Sequence, residues 1–205
     1  EPENYLLKHE NPMAVGPYGV SAYYMEAKMA QTQAMVNAKQ VILDVGRRYT
    51  ELTGRRYGLF ESYCMDDAEE AIVLIGSSAG TARVCVDALR KAGRKVGMIK
   101  VRVYRPFPGE ELAKALQTVK AVAVMDKCES YSTHGGPLGA ELRSALYDAG
   151  QHPLLINFVY GLGGRDFAVT DCETVFDALD DALAQGTAAP VYRHLGQRGG
   201  DLSGL

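Results

Sequence analysis

The chain has 205 residues, of which 47% are hydrophobic and 23% charged, and a formal net charge of −3 at pH 7. This is an ordinary composition for a folded domain, long enough to bury roughly 70% of the surface its unfolded form exposes without a disulfide or metal staple. It offers no basic footprint for nucleic acid, and its apolar runs, such as Ala71-Ile72-Val73-Leu74-Ile75, fall far short of the roughly 20 residues that cross a bilayer.

Residues 1–20 carry Pro2, Asn11-Pro12, Gly16-Pro17 and Gly19 and read as an irregular arm. From Ser21, placed to cap a helix, to Gly54, placed to stop one, there is no proline and Gly46 is the only interior glycine, which predicts one long helix over 21–54. Its later half sets Ala38, Val41, Ile42, Val45, Tyr49 and Leu52 at helical spacing, a stripe expected to pack in part on the chain's own sheet. Tyr23, Tyr24, Met25 and Met29, near its start, are expected at an interface, since aromatic and methionine side chains serve packing more often than redox chemistry.

A strand-like stretch over 57–63 leads into an alternation of apolar runs and amphipathic segments. The runs 71–75, 96–103, 121–125 and 154–160 are almost continuously apolar, as strands covered on both faces are, so parallel pairing is expected. Segments 79–92, 109–118, 138–148 and 170–185 read as helices packed over that sheet. Right-handed crossovers then favour an open, doubly wound α/β domain over 55–185, with 186–205 left as a tail.

Four turns follow the strands at the edge where open α/β sheets place ligands. Gly76-Ser77-Ser78-Ala79-Gly80-Thr81 could cradle an anion on backbone N–H groups, but it lacks the spacing of a nucleotide loop and reads first as a tight turn. Arg102-Val103-Tyr104-Arg105-Pro106-Phe107-Pro108 could clamp a carboxylate or phosphate, though Arg105 and Phe107 read better as contacts to a neighbouring domain. Asp126 to Pro137 is densest in titratable groups, yet His134 has no second residue at a defined spacing to make a catalytic pair and is assigned to an interface. In Tyr160-Gly161-Leu162-Gly163-Gly164-Arg165-Asp166, Gly163 and Gly164 allow close backbone approach, and with Arg165 they too are assigned to contacts.

Cys64, Cys85, Cys128 and Cys172 stand far apart, without zinc or iron–sulfur spacing. Cys85 and Cys172 fall in segments that read as buried helix, which fits structural thiols in a reducing cytoplasm. The first residue is Glu1 rather than Met, with no basic segment followed by an apolar stretch, so a fragment or processed piece of a larger gene product is expected.

Six ordered motifs carry a resemblance. They are Asn11-Pro12-Met13 with Gly16-Pro17, Tyr23-Tyr24-Met25-Glu26, the run from Gly76 to Ala82, the run from Val101 to Pro108, Ala123-Val124-Met125-Asp126, and the run from Asn157 to Asp166. Together they resemble the carboxy-terminal part of the alpha subunit of pyruvate:ferredoxin oxidoreductase, over about residues 4–183. The resemblance implies a transketolase C-terminal-like domain, a mostly parallel five-stranded sheet with one antiparallel strand, for which 57–63 is the candidate. It implies part of an enzyme that joins a 2-oxoacid to thiamine diphosphate with magnesium, releases CO2, passes electrons through 4Fe–4S clusters to ferredoxin and delivers the acyl group to coenzyme A. The implied partners are the pyrimidine-binding domain of the alpha subunit and beta, gamma and delta-type subunits. No magnesium–diphosphate motif and no cluster cysteine set is present, so this chain alone is expected to bind none of these cofactors, to hold no catalytic residue and to be inactive. The competing reading is a stand-alone small-molecule or nucleotide-binding module using the loops 76–81 and 161–164.

Overall fold

The computed structural model describes residues 9–10 and 19–198, so most of the expected arm, including the motif residues 11–13 and 16–17, and the last seven residues lie outside the described residues. The chain divides into two units, Glu1–Lys39 and Gln40–Leu205. In chain order the elements are α1 (Tyr24–Thr53), β1 (Phe60–Tyr63), β2 (Glu70–Ile75), α2 (Ser78–Lys91), β3 (Val96–Val101), α3 (Gly109–Ala115), β4 (Ala121–Asp126), α4 (Pro137–Asp148), β5 (Leu154–Val159), a 3₁₀ turn (Leu162–Gly164), α5 (Val169–Gln185) and β6 (Tyr192–His194).

The sheet runs β1-β3-β2-β4-β5-β6, and every neighbouring pair is parallel except β1 with β3. Parallel strands need helices on both faces, and their side chains alternate between the two layers. Ile72, Leu74, Ala123, Met125, Ile156 and Phe158 meet α2 and α5 through Cys85, Val86, Cys172, Phe176 and Leu179. Val73, Val122, Val124 and Leu155 meet α3 and α4 through Leu112, Leu116, Leu138 and Leu142. Each of the largest of these side chains is fully buried, a burial worth about 1.5–3 kcal/mol apiece before ordering costs. The doubly wound fold and the antiparallel edge strand match the sequence reading.

Two details differ from it. The sheet has six strands rather than five, because Tyr192–His194, within the expected tail, pairs parallel to β5. The β5–α5–β6 connection returns on the same face as α2 but in the opposite lateral direction, so its hand is opposite to that of the other parallel connections. A three-residue edge strand that breaks the crossover rule leaves no periodic trace to read. The second detail concerns α1, which begins at Tyr24, three residues after Ser21, because the Val20 carbonyl accepts both the Tyr23 and Tyr24 amides in a preceding turn.

The α1 stripe is mostly open: Val41, Val45 and Leu52 are 60%, 56% and 85% exposed, and Gly46 is the one buried residue of the helix. The reason is local. The helix backbone approaches Tyr57 so closely that a Cβ on Gly46 would lie 2.3 Å from the Tyr57 carbonyl oxygen. The Tyr49 and Tyr57 rings then meet edge-on at 5.1 Å.

Candidate functional site

The strand order reverses between β2 and β4, and the carboxyl ends of these two strands flank the switch point at which open sheets hold ligands. After β2 the chain turns at Gly76, whose φ of +87° favours glycine, and enters α2 with Ser78 buried. After β4 comes the loop 127–136, which is tied down from below by a buried polar network.

Asp126 ends β4 and lies under the first turn of α4. Its Oδ1 accepts the Leu138 amide at 3.0 Å, and its Oδ2 accepts the Gly139 amide at 3.0 Å and Asn157 Nδ2 at 2.9 Å. A carboxylate there satisfies helix donors that no carbonyl can reach and complements the helix dipole. Asn157, a polar residue within the apolar strand β5, also donates to the Val124 carbonyl at 2.8 Å and accepts the Gly136 amide at 2.5 Å. The approach leaves no room for side chains: a Cβ on Gly136 would lie 2.5 Å from Asp126 Cγ, and one on Gly139 would lie 2.6 Å from Asn157 Cγ.

A second network fastens the far side of the same loop to β6. Glu129 Oε1 accepts the Tyr192 hydroxyl at 2.6 Å and the Tyr131 amide at 3.0 Å, while Oε2 lies 2.7 Å from His194 Nε2. The bonds from Tyr192 and His194 hold the Glu129 carboxyl down at about 2. Burial and the bond to Glu129 push the Tyr192 phenol up to about 12. Lys127 lies over the Tyr160 ring at 5.2 Å and fills the space where Gly161, at φ +66°, would carry a side chain. Burial pushes the Tyr160 phenol up, against a hydrogen bond from Ser78.

The residues singled out from sequence fall in separate places. Tyr23, Tyr24, Met25 and Met29 are 73%, 52%, 70% and 62% exposed at the start of α1. After β3, Arg105 pairs with Glu141 of α4 at 2.5 Å and stacks over Tyr104, whose ring meets half-buried Phe107 edge-on. His134 is exposed in the loop after β4, its amide donating to Ser132 Oγ at 3.1 Å. Gly163 and Gly164 are exposed at φ +66° and +79°, and Arg165 donates to the Gly196 carbonyl. The structure thus joins Arg165 to the segment after β6, and it does not bring Arg105, His134 and Arg165 into contact with one another. Asn157 enters the sequence reading only as the first residue of a motif, and Tyr192 and His194 do not enter it. An asparagine inside an apolar strand was the available signal for the first, and nothing in the tail marked the other two.

Beside this edge, Ile42, Val45, Tyr49, Tyr57, Gly76 and Arg102 line a mainly apolar groove of about 710 Å³. Among the described residues no group of three or more His, Cys, Asp or Glu could hold a metal ion. Cys85 and Cys172 are buried in the core on the inner faces of α2 and α5, and a hydrogen bond donated to Cys85 together with burial pushes the Cys172 thiol up.

Comparison with known proteins adds the following. A family model described as pyruvate:ferredoxin oxidoreductase core domain II matches residues 68–172. Pyruvate synthase subunit PorA of Thermotoga maritima is 39% identical over 193 residues, which is 94% of this chain and 48% of that protein. Ketoisovalerate oxidoreductase subunit VorA of Pyrococcus abyssi is 41% identical over 182 residues, 88% of this chain and 46% of that protein. A solved 2-oxoglutarate:ferredoxin oxidoreductase from Magnetococcus marinus matches 65% of this chain and 21% of its own at 19% identity, with a TM-score of 0.46. The chain spans about half the length of the curated relatives it matches.

Proposed function

This chain belongs to the pyruvate:ferredoxin oxidoreductase core domain II family, and from that premise we propose that it is part of the alpha-type subunit of a 2-oxoacid:ferredoxin oxidoreductase. Its role is assembly and support of an active site built elsewhere in the enzyme. The observation that carries this reading is the carboxyl edge of the sheet, where the charged groups are spent on the chain's own loops. Asp126 accepts three donors to hold α4 and β5, and Glu129 accepts from Tyr131, Tyr192 and His194 to hold β6. Groups so engaged make a rigid platform rather than an acid, base or nucleophile poised for substrate.

Thiamine diphosphate with magnesium, 4Fe–4S clusters and coenzyme A belong in this reading to the assembled enzyme, where they supply decarboxylation, electron transfer and acyl acceptance. The pyrimidine-binding domain and beta, gamma and delta-type subunits carry them, ferredoxin takes the electrons, and the assembly is cytoplasmic. Among the described residues no helix is long and apolar enough to cross a membrane.

Purification of the native assembly through this chain tests the reading. Co-purifying chains and ferredoxin reduction dependent on one of pyruvate, 2-oxoglutarate, branched or aryl 2-oxoacids, or oxalate are expected. Isolation of a single active species containing this polypeptide alone would overturn it. So would micromolar thiamine diphosphate binding or stoichiometric iron in the purified chain.

A further inference from the structure

At the opposite edge of the sheet, between the last turns of α4 and the start of β5, lies a cavity of about 320 Å³ lined by Arg143, Tyr147, Gln151, His152 and Pro153. Arg143 Nε and Nη2 are buried there without a hydrogen-bond partner, and so is Gln151 Oε1. Burial alone shifts the guanidinium, downward, with no carboxylate opposing it. Other half-buried arginines near the sheet find partners within the chain: Arg90 pairs with Asp67, Arg94 with Glu70, Asp177 and Asp180, and Arg102 with Glu61, while Arg193 donates to the Ala189 and Pro190 carbonyls. An unmatched, partly desolvated arginine weakens a fold unless something outside it completes the pair.

We infer that this cavity receives an acidic side chain, Asp or Glu, from a partner polypeptide of the assembly, whose carboxylate pairs with Arg143 while a backbone N–H beside it bonds Gln151 Oε1. The guanidinium fork matches a carboxylate in two-pronged geometry. Gln151 decides between sources of that carboxylate. A free carboxylate ion has no donor to offer Oε1, whereas a peptide segment carries both acceptor and donor. Tyr147, 73% exposed and in contact with the His152 ring at 6.1 Å, adds the aromatic rim that protein interfaces favour. The inference rests on the proposed function only in expecting partner chains, whatever reaction they perform.

The test uses the native assembly carrying Arg143→Met or Arg143→Lys, together with a Tyr147→p-benzoylphenylalanine variant for photocrosslinking. Arg143→Met should weaken subunit association at least tenfold on dilution while leaving the melting temperature of this chain unchanged or higher, because an unpaired charge has been removed. Arg143→Lys should fall between, keeping charge but losing the fork. The crosslinked peptide should come from another chain and contain Asp or Glu. Unchanged association, or crosslinks confined to this chain, would overturn the inference. Unfolding of the chain by Arg143→Met would also overturn it, as would Arg143-dependent binding of acetate with association unaffected. Failure of the proposed function reads differently, as an intact assembly without 2-oxoacid activity.

Discussion

A buried carboxylate beneath a helix must find donors or lose its charge, and Asp126 finds them on α4 and β5 at once. Removing it with Asp126→Ala leaves two helix amides and an asparagine unmatched, which costs about 1–3 kcal/mol for each buried group left without a partner. The adjacent glycines predict a pair of opposite outcomes. Gly139→Ala sets a Cβ 2.6 Å from Asn157 Cγ and should destabilise by about 1–3 kcal/mol, as overpacking does. Gly80→Ala, where a Cβ meets nothing within 4 Å, should be neutral or stabilise α2 by up to about 1 kcal/mol. Urea unfolding of both variants, read as midpoints at constant slope, checks the pair. Glu70 supplies the pH dependence. Burial, only partly offset by Arg94, pushes its carboxyl up to about 7 from 4.5. The folded chain therefore holds that proton longer than the unfolded chain, and stability declines as pH rises from 4.5 to about 7 and then levels. Glu70→Gln should flatten that segment of a stability–pH curve, and an unaltered slope would mean another group is responsible.

Among the elements, those that the sequence reveals well are the ones buried on both sides. Apolar runs such as Ala121–Asp126 lie wholly in the core, so hydrophobicity alone marks them. The contacts that arrange the candidate site are legible only in part. Asp126 sits at the end of its strand and Gly135-Gly136-Pro137 announces a helix start, but their meeting through Asn157 joins residues 31 apart in sequence. The strut from Glu129 to His194 spans 65 residues and ends in a strand too short to show a period. For Glu129 the pH sign is opposite to that of Glu70. Its carboxyl is depressed from 4.5 to about 2, so the stabilisation is complete above 4.5 and is lost as pH falls through about 2. Protection of the β6 amides, taken relative to their intrinsic exchange rate at each pH, should fall over that interval in the parent and be low throughout in Glu129→Ala. At the start of α1, Tyr24→Ser with Met25→Ser should loosen the assembly and leave this chain's melting temperature nearly unchanged, because both side chains are more than half exposed here. Collapse of the chain's own fold would contradict that.

For the whole molecule, the central claim is a division of labour. In the proposed function this chain holds partners in place, and the bond-making groups lie in the rest of the enzyme. Arg105 and Phe107 put that to the sharpest test, because they stand after β3, packed through Tyr104 and Glu141 rather than in the networks of Asp126 and Glu129. Native mass spectrometry combined with single-turnover decarboxylation, on assemblies carrying Arg105→Ala or Phe107→Ala, separates holding from chemistry. The account predicts weaker association and, in the fraction that remains assembled, a chemical step within about threefold of the parent, a change under 1 kcal/mol in the barrier. Normal assembly with a chemical step slowed a thousandfold would contradict it and place the active site on this edge of the sheet.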